Sequence, residues 1–305
     1  MDGPTTDFTK ACYHNVYPAI SPVRSELSQV GQNVLITGGG TNIGKVIAKS
    51  FAIASAKTVV IVGRRINVLT SAVAELQQAA EAAGSSTQFL ARSCDVADST
   101  MVNSLWDFLS AQRIHIDVLV LNAVRFTEPK QLVDLGIDEV WRQFEVNVKG
   151  PLHFTERFQK QSGRGQKFLL NVTTAAMHML HNSMVATRPS YSLTKASITY
   201  AAQVIADSVK PEEIQVISFH PGMIYTDIWK SIGITQDQLP FDTLELAGGL
   251  AVWAASKESA FLHGRYIISN WDVDELAEGE TKAHLEENPD YLRLAVIGLR
   301  GTDRA

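Results

Sequence analysis

This sequence is poor in several things that define common protein classes. It has two cysteines, Cys12 and Cys94, too few for a disulfide framework and without the spacing of a metal-binding pair. His178 and His181 have no cysteine or acid beside them at ligand spacing, so no metal is expected. No apolar run approaches the roughly 20 residues that span a bilayer, so no membrane partner is expected. Charge of neither sign dominates: 27 Lys and Arg face 32 Asp and Glu, for a net charge of −5. That balance argues against nucleic acid or an anionic membrane surface as a partner. Met1 to Lys10 is polar and holds no signal-peptide core, so a cytoplasmic location is the expectation. Hydrophobic residues make up 45% of the 305-residue chain, enough to bury a sizeable core and to set disorder aside.

What the chain does have is a regular alternation of apolar runs. Residues 1–30 read as an extension, interrupted by Pro4, Pro18 and Pro22 and without a period. Its Tyr13, Tyr17 and Ile20 are expected to pack either on the chain's own domain or on a neighbouring subunit. From 31 to 273 short strands alternate with amphipathic helices. Strands are predicted near 33–36, 58–62, 87–94, 118–121, 167–172, 215–219 and 265–269, and a long helix over about 138–161. Several strands are continuous apolar runs, the pattern of a parallel sheet covered on both faces. The expected fold is therefore α/β: a doubly wound, Rossmann-type, seven-stranded, mostly parallel sheet with helices on both faces. Ligands in such a fold bind at the carboxyl ends of the strands. Residues 274–305 form a C-terminal extension.

The stretch Asn33–Gly44, Asn-Val-Leu-Ile-Thr-Gly-Gly-Gly-Thr-Asn-Ile-Gly, joins a strand to a helix through a glycine-rich turn. Glycines let the backbone turn tightly and present N–H groups to a ligand with no side chain in the way. The helix that follows aims its positive N-terminal end at the turn, an arrangement that binds phosphate. In a dinucleotide fold an acid at the end of the second strand bonds the adenosine ribose, whereas arginine suits a 2′-phosphate. Here that position reads Val62-Gly63-Arg64-Arg65, and guanidinium matches phosphate with a planar fork. NADP(H) is favoured over NAD(H). Asp95, ending the third strand, either accepts from an adenine amino group or caps a turn.

Two groupings carry chemistry. Tyr191 and Lys195 stand at i and i+4 on one face of a predicted helix, heading an apolar stripe continued by Ile198, Ala202, Ile205 and Val209. A cation near a phenol lowers its pKa, and a tyrosine titrating closer to neutrality serves as general acid or base toward a carbonyl or alcohol. An exposed first helical turn carrying the same pair would do neither. Asn147 shares an apolar stripe with Val140, Phe144 and Val148, and Pro151 follows it on the same helix. Proline has no N–H, so the Asn147 carbonyl is expected to lose its helical partner, with a kink at Gly150-Pro151.

The glycine turn, Asp95, Asn122-Ala123, Asn147, Tyr191-x-x-x-Lys195 and Pro221-Gly222, in this order and spacing, resemble the short-chain dehydrogenase/reductase (SDR) family. Within it the chain resembles the NADP(H)-preferring members with a Thr-Gly-x-x-x-Gly-x-Gly turn. The resemblance covers about residues 32–272. The segments 13–28 and 271–276 also resemble fungal members, many of which act in secondary metabolism. The resemblance implies that Gly38, Gly40, Thr41, Asn42, Ile43, Gly44, Arg64, Arg65, Asp95 and Val96 bind the cofactor. It implies that Asn122 and Ala123 line the cofactor and support the sheet, and that Pro221, Gly222, Ile224 and Thr226 clasp the nicotinamide carboxamide. Tyr191 becomes the proton donor or acceptor. Lys195 lowers its pKa and holds the nicotinamide ribose, and Asn147 holds a relay water through its carbonyl. Family members are usually dimers or tetramers, which implies a homodimer or homotetramer.

Three positions depart from the family pattern. Asn42 replaces the second turn glycine, and Asn is the non-glycine residue that best tolerates positive φ. Val124 stands where the family has glycine and would be strained at positive φ. Thr174 replaces the usual serine and keeps a hydroxyl donor, with Ser183 as a second candidate. The segment 175–188, with Met177, His178, Met179, His181 and Met184, and the stretch with Trp229, Ile232, Ile234 and Phe241 are expected to face one pocket. Methionines adapt to irregular apolar ligands. His178, Met179 and Trp229 are the pocket candidates, and Arg125 either orients a polar substrate group or is solvated. The expected activity is an NADP(H)-dependent ketoreductase interconverting a ketone or aldehyde and an alcohol on a largely apolar small molecule. The alternatives are other chemistry on the same fold (imine reduction, dehydration, isomerisation) and a non-catalytic NADP(H)-binding regulatory protein.

Overall fold

The apolar runs become seven strands: β1 (Asn33–Thr37), β2 (Thr58–Gly63), β3 (Gln88–Ser93), β4 (Val118–Leu121), β5 (Lys167–Val172), β6 (Ile214–His220) and β7 (Tyr266–Ile268). A computed structural model of the chain describes residues 8–296, apart from 164, 180, 181, 183, 184, 227, 228, 231 and 232. The expectations placed on His181, Ser183, Met184 and Ile232 lie outside the described residues. The strands pair in the order β3-β2-β1-β4-β5-β6-β7, and every pairing is parallel. The sheet is thus wholly rather than mostly parallel. Its central strands are buried along their whole length, as β1 is, because helices cover both faces. The edge strand β3 is the exception, with half-buried and exposed positions.

The main helices are α1 (Asn42–Ile53), α2 (Ile66–Ala82), α3 (Ser99–Ala111), α4 (Ile137–Phe144), α5 (Gly150–Gln159), α6 (Pro189–Asp207), α7 (Leu244–Ala254), α8 (Val273–Ala277) and α9 (Gly279–Glu287), with a single helical turn at Leu132–Leu135 before α4. Phe51 of α1, Leu76 of α2 and Trp253 of α7 share one core with Val34 and Ile36. Trp106 of α3, Phe158 of α5 and Ala202 of α6 share the other with Leu35 and Leu119. Successive side chains of β1 therefore feed opposite cores, as the period of a strand requires. Asp98 starts α3, its carboxylate accepting from the N–H groups of Thr100 and Met101.

The helix expected over 138–161 divides in the middle. A π turn over Glu145–Lys149 joins α4 to α5, and the Gly150 N–H bonds the Glu145 carbonyl. Pro151 offers no N–H to Asn147 in the α register, so the break expected at Gly150-Pro151 takes the form of a wider turn. Turns of this kind recur at functional sites.

The N-terminal arm packs on the chain's own domain. Phe8 stacks on Trp271 with ring centroids 4.5 Å apart, and Tyr13 on Tyr17 at 3.9 Å. The Tyr17 hydroxyl donates to the Trp271 carbonyl at 2.7 Å. Ile20 is fully buried. Its carbonyl lies so near α7 that a Cβ on Gly249 would stand 2.7 Å from it. No described helix is long and apolar enough to cross a membrane.

Candidate active site

The sheet order reverses between β1 and β4, and the turn after β1 opens at that point, where doubly wound folds take their ligands. Gly38 has φ +67°, and a Cβ there would stand 3.0 Å from Asn122 Nδ2 and 3.1 Å from Ala123 Cα. A Cβ on Gly44 would collide with the Gly38 carbonyl oxygen. Asn42 adopts φ +43°, the left-handed region its side chain tolerates. Thr41 precedes α1 in an extended conformation and makes no side-chain cap. The first-turn N–H groups of α1 are thereby left to a ligand. This cradle, which Cβ atoms would fill, fits a dinucleotide pyrophosphate.

Asn122 ties the end of β4 to the turn. Its Nδ2 donates to the carbonyls of Thr37 at 2.9 Å and Gly38 at 3.3 Å. The Thr37 hydroxyl accepts from the N–H groups of Asn122 and Ala123 at 2.9 and 3.0 Å. A cleft of about 210 Å³ runs past the turn, with Arg64, Arg65, Asp95, Val96 and Ala123 among its walls. Arg64 and Arg65 are exposed. Asp95 lines this cleft and also closes a turn, its carboxylate accepting from the Ala97 N–H at 3.0 Å. Ile43 packs against the core beneath α1.

Past the carboxyl end of β5, Thr174 begins the short turn Ala175–His178, accepting from the Ala176 N–H at 3.2 Å. The Thr174 side chain is close enough to the Tyr191 phenol to act on its pKa. Lys195 is 5% exposed, and its Nζ donates to the Val172 carbonyl at 2.6 Å. Burial pushes the Tyr191 phenol up to about 12, against the lowering influence of Thr174, and pushes Lys195 down to about 8. Burial, which disfavours a charge, is the larger influence on both groups, and the ammonium is engaged by the Val172 carbonyl.

Asn147 is buried, and its side chain fastens the loop after β4 to α6. Its Oδ1 accepts from the Arg125 N–H at 2.7 Å, and its Nδ2 donates to the Arg125 carbonyl and to Thr194 Oγ1, both at 3.0 Å. Thr194 Oγ1 in turn donates to the Tyr191 carbonyl at 2.9 Å. Phe126 meets the Tyr191 ring edge-on, with centroids 4.5 Å apart. Val124 is not at positive φ, so the strain expected there does not arise. Arg125, its side chain 34% exposed, forms a two-pronged pair with Glu139 at 2.6 and 2.7 Å.

Pro221 is buried, Gly222 has φ +95°, and Ile224 bridges to Asp242 beside half-buried Thr226. Trp229 donates its indole N–H to the Ile224 carbonyl at 2.9 Å and packs on Phe241 at 5.2 Å. His178 is exposed, its ring edge-on to Tyr266 at 5.7 Å, and Met179 is half-buried. Burial pushes His220, just before Pro221, down to about 4, with His178 adding to the effect. Sequence reasoning missed Thr37, Phe126, Thr194 and Asp242. Thr37 had a signal, since it immediately precedes the turn glycines.

The short chain dehydrogenase family profile matches residues 32–237. The short chain dehydrogenase/reductase nsrO of Aspergillus novofumigatus is 32% identical over 274 residues, covering 88% of this chain and 90% of that protein. A short chain dehydrogenase/reductase of Claviceps purpurea is 32% identical over 275 residues, covering 90% and 88%. A solved 7α-hydroxysteroid dehydrogenase, complexed with NADH and 7-oxo glycochenodeoxycholic acid, aligns with a TM-score of 0.69 at 25% identity. That alignment covers 81% of this chain and 95% of that one. The chain belongs to the short-chain dehydrogenase/reductase family. It is an oxidoreductase whose fold binds a nicotinamide cofactor.

Proposed function

We propose that this protein is an NADP(H)-dependent ketoreductase of fungal secondary metabolism. It interconverts a ketone or aldehyde and an alcohol on a largely apolar small molecule. The observation that carries the proposal is Tyr191 and buried Lys195 one turn apart on α6, with Thr174 close enough to act on the phenol. Thr174 follows β5 at the carboxyl end of the strands, as the glycine turn follows β1.

When bound, the nicotinamide supplies a hydride to the substrate carbon or takes one from it. The chain's own residues do the rest. The turn and the first N–H groups of α1 hold the pyrophosphate. Exposed Arg64 and Arg65 hold the 2′-phosphate, the feature that favours NADP(H) over NAD(H). Tyr191, as the phenol, gives its proton to the carbonyl oxygen in reduction; in reverse the phenolate takes the proton from the alcohol. Thr174 donates to the same oxygen. Lys195 places a cation beside the phenol and holds the nicotinamide ribose. The Asn147 carbonyl, set in the π turn, holds the water that resupplies the proton. Pro221, Gly222, Ile224 and Thr226 clasp the carboxamide.

The apolar character of the substrate is supported by Phe126 against Tyr191 and by the cluster of Tyr225, Trp229 and Phe241. Met177 and Met179 add adaptable surface. The keto steroid bound by the hydroxysteroid dehydrogenase is a ligand of this general kind. The test is a panel of ketones with NADPH. Turnover should favour apolar and polycyclic ketones; turnover confined to small hydrophilic ones contradicts the pocket assignment.

The same reading includes a homodimer or homotetramer. Trp141 and Leu152, 60% and 39% exposed, line one side of α4 and α5, and Leu193, Tyr200 and Val204, 41%, 58% and 53% exposed, line one side of α6. Two such stripes are apolar surface that a second copy would cover. A monomer at micromolar concentration in analytical ultracentrifugation contradicts the assembly.

A further inference from the structure

We infer that the N-terminal arm is part of the cofactor site: Asp242, gripped by His14 of the arm and by Asn270, is a positioning residue for the segment that begins at Pro221. The inference rests on the reading that this segment clasps the nicotinamide.

The Asp242 side chain is 3% exposed. Its Oδ1 accepts from His14 Nδ1 at 2.6 Å and from Asn270 Nδ2 at 2.8 Å. Its Oδ2 accepts from the Met223 N–H at 2.5 Å, while its own N–H donates to the Met223 carbonyl at 2.9 Å. Both main-chain polar groups of Met223 therefore end on this one residue. The segment is also pressed against the carboxylate. A Cβ on Gly222 would stand 2.6 Å from Asp242 Oδ2, at a φ of +95°. The height of the clasp over the cleft is set by where that carboxylate sits.

The arm fixes the carboxylate from the other side. The Thr243 N–H donates to the His14 carbonyl at 2.9 Å, and Thr243 Oγ1 donates to Asn15 Oδ1 at 2.7 Å. The Tyr13 N–H donates to the Asn270 carbonyl, and Asn270 Nδ2 donates to the Tyr13 carbonyl, both at 2.8 Å. Asn270 Nδ2 thus bonds the arm and Asp242 together. A buried carboxylate with three donors is held in one place; with a donor removed, its charge is under-compensated and the group shifts toward water. That shift carries Met223 with it. The His14 side chain is 59% exposed, so it can be changed without opening a core, and Tyr17, Ile20 and Leu27 keep the arm anchored.

The experiment compares NADPH with 2′-phospho-ADP-ribose, the same molecule without its nicotinamide. Wild type, His14→Ala, Asp242→Asn and Tyr13→Phe are titrated with each. Tyr13→Phe removes the hydroxyl's 3.2 Å bond to Asp272 and so loosens the arm away from Asp242. His14→Ala and Asp242→Asn should weaken NADPH binding about tenfold, the scale of a lost hydrogen bond to a charged group. The same variants should bind the fragment within about twofold of wild type. In turnover, KM for NADPH should rise more than kcat falls. Tyr13→Phe should match wild type with both ligands. Unchanged NADPH binding in both variants overturns the inference. So does an equal loss of both ligands, or a Tyr13→Phe loss equal to that of His14→Ala. If Asp242→Asn does not fold, His14→Ala decides alone. Wild type that binds neither ligand overturns instead the cofactor assignment beneath the inference.

Discussion

The two ends of the candidate site are built from different material. At the turn, backbone does the work: Gly38 and Asn42 sit at positive φ, and Gly44 allows an approach that no side chain permits. The charged groups there, Arg64 and Arg65, stay exposed. At the Tyr191 end, side chains do the work, and they are buried. Lys195, Asn147 and Thr174 are 5%, 2% and 9% exposed. Burial leaves Tyr191 protonated and makes the Lys195 charge costly. In a low-dielectric site the Lys195 charge acts strongly on whatever enters. In the function proposed above, one end binds and the other reacts.

The largest effect should come from the reacting end. Tyr191→Phe should lower carbonyl reduction by about 10²–10⁴-fold, the range of a lost general acid. Its NADPH affinity, read by fluorescence, should stay within about twofold of wild type, because the binding end is untouched. A Tyr191→Phe enzyme with wild-type turnover would erase the division. Next comes the binding end. Arg64→Ala should weaken NADPH roughly 10- to 100-fold, as loss of a charge-assisted contact to phosphate implies, and leave NADH unchanged. Calorimetry with both cofactors checks this; equal losses would mean that Arg64 reads something the two share.

The smallest effect is on stability. Lys195 is held at about 8 in the fold, below its unfolded value of about 10.4. The folded protein therefore carries the full cost of the charge below about pH 8, and the cost is relieved as pH rises toward the unfolded value. Lys195→Met should gain most over wild type at low pH. The Tm difference should shrink by on the order of 5 °C between pH 7 and pH 10. A difference that is flat with pH would mean that burial does not strain this lysine.

The binding end was the more legible of the two in the sequence, for a physical reason. A glycine or an asparagine at positive φ is a local requirement, so Gly38 and Asn42 could be read in place. Strands β4 and β5 were legible residue for residue: β4 is an unbroken apolar run with polar residues on both sides, and β5 carries an apolar run between Lys167 and Asn171. The π turn was half legible. Pro151 marked the place, but apolar periodicity does not say how the lost bond is absorbed. The course of the loop at Val124 was not legible, because Asn147 sets it by bonding both the N–H and the carbonyl of Arg125, a contact across 22 positions. Tyr191 and Lys195 were found by spacing, but the burial of Lys195 was not, since spacing carries proximity and not burial. The grip of His14 on Asp242 spans 228 positions and has no local trace.

The central claim is that a hydride passes between nicotinamide and a substrate carbon in the pocket beside Tyr191. The direct measurement is turnover of a polycyclic ketone with NADPH deuterated at nicotinamide C4, followed by mass spectrometry of the product. The account predicts an alcohol carrying one deuterium on the carbinol carbon with wild type, and none above background with Tyr191→Phe. NADPH that binds tightly but passes no deuterium to any carbonyl in a broad panel would contradict it.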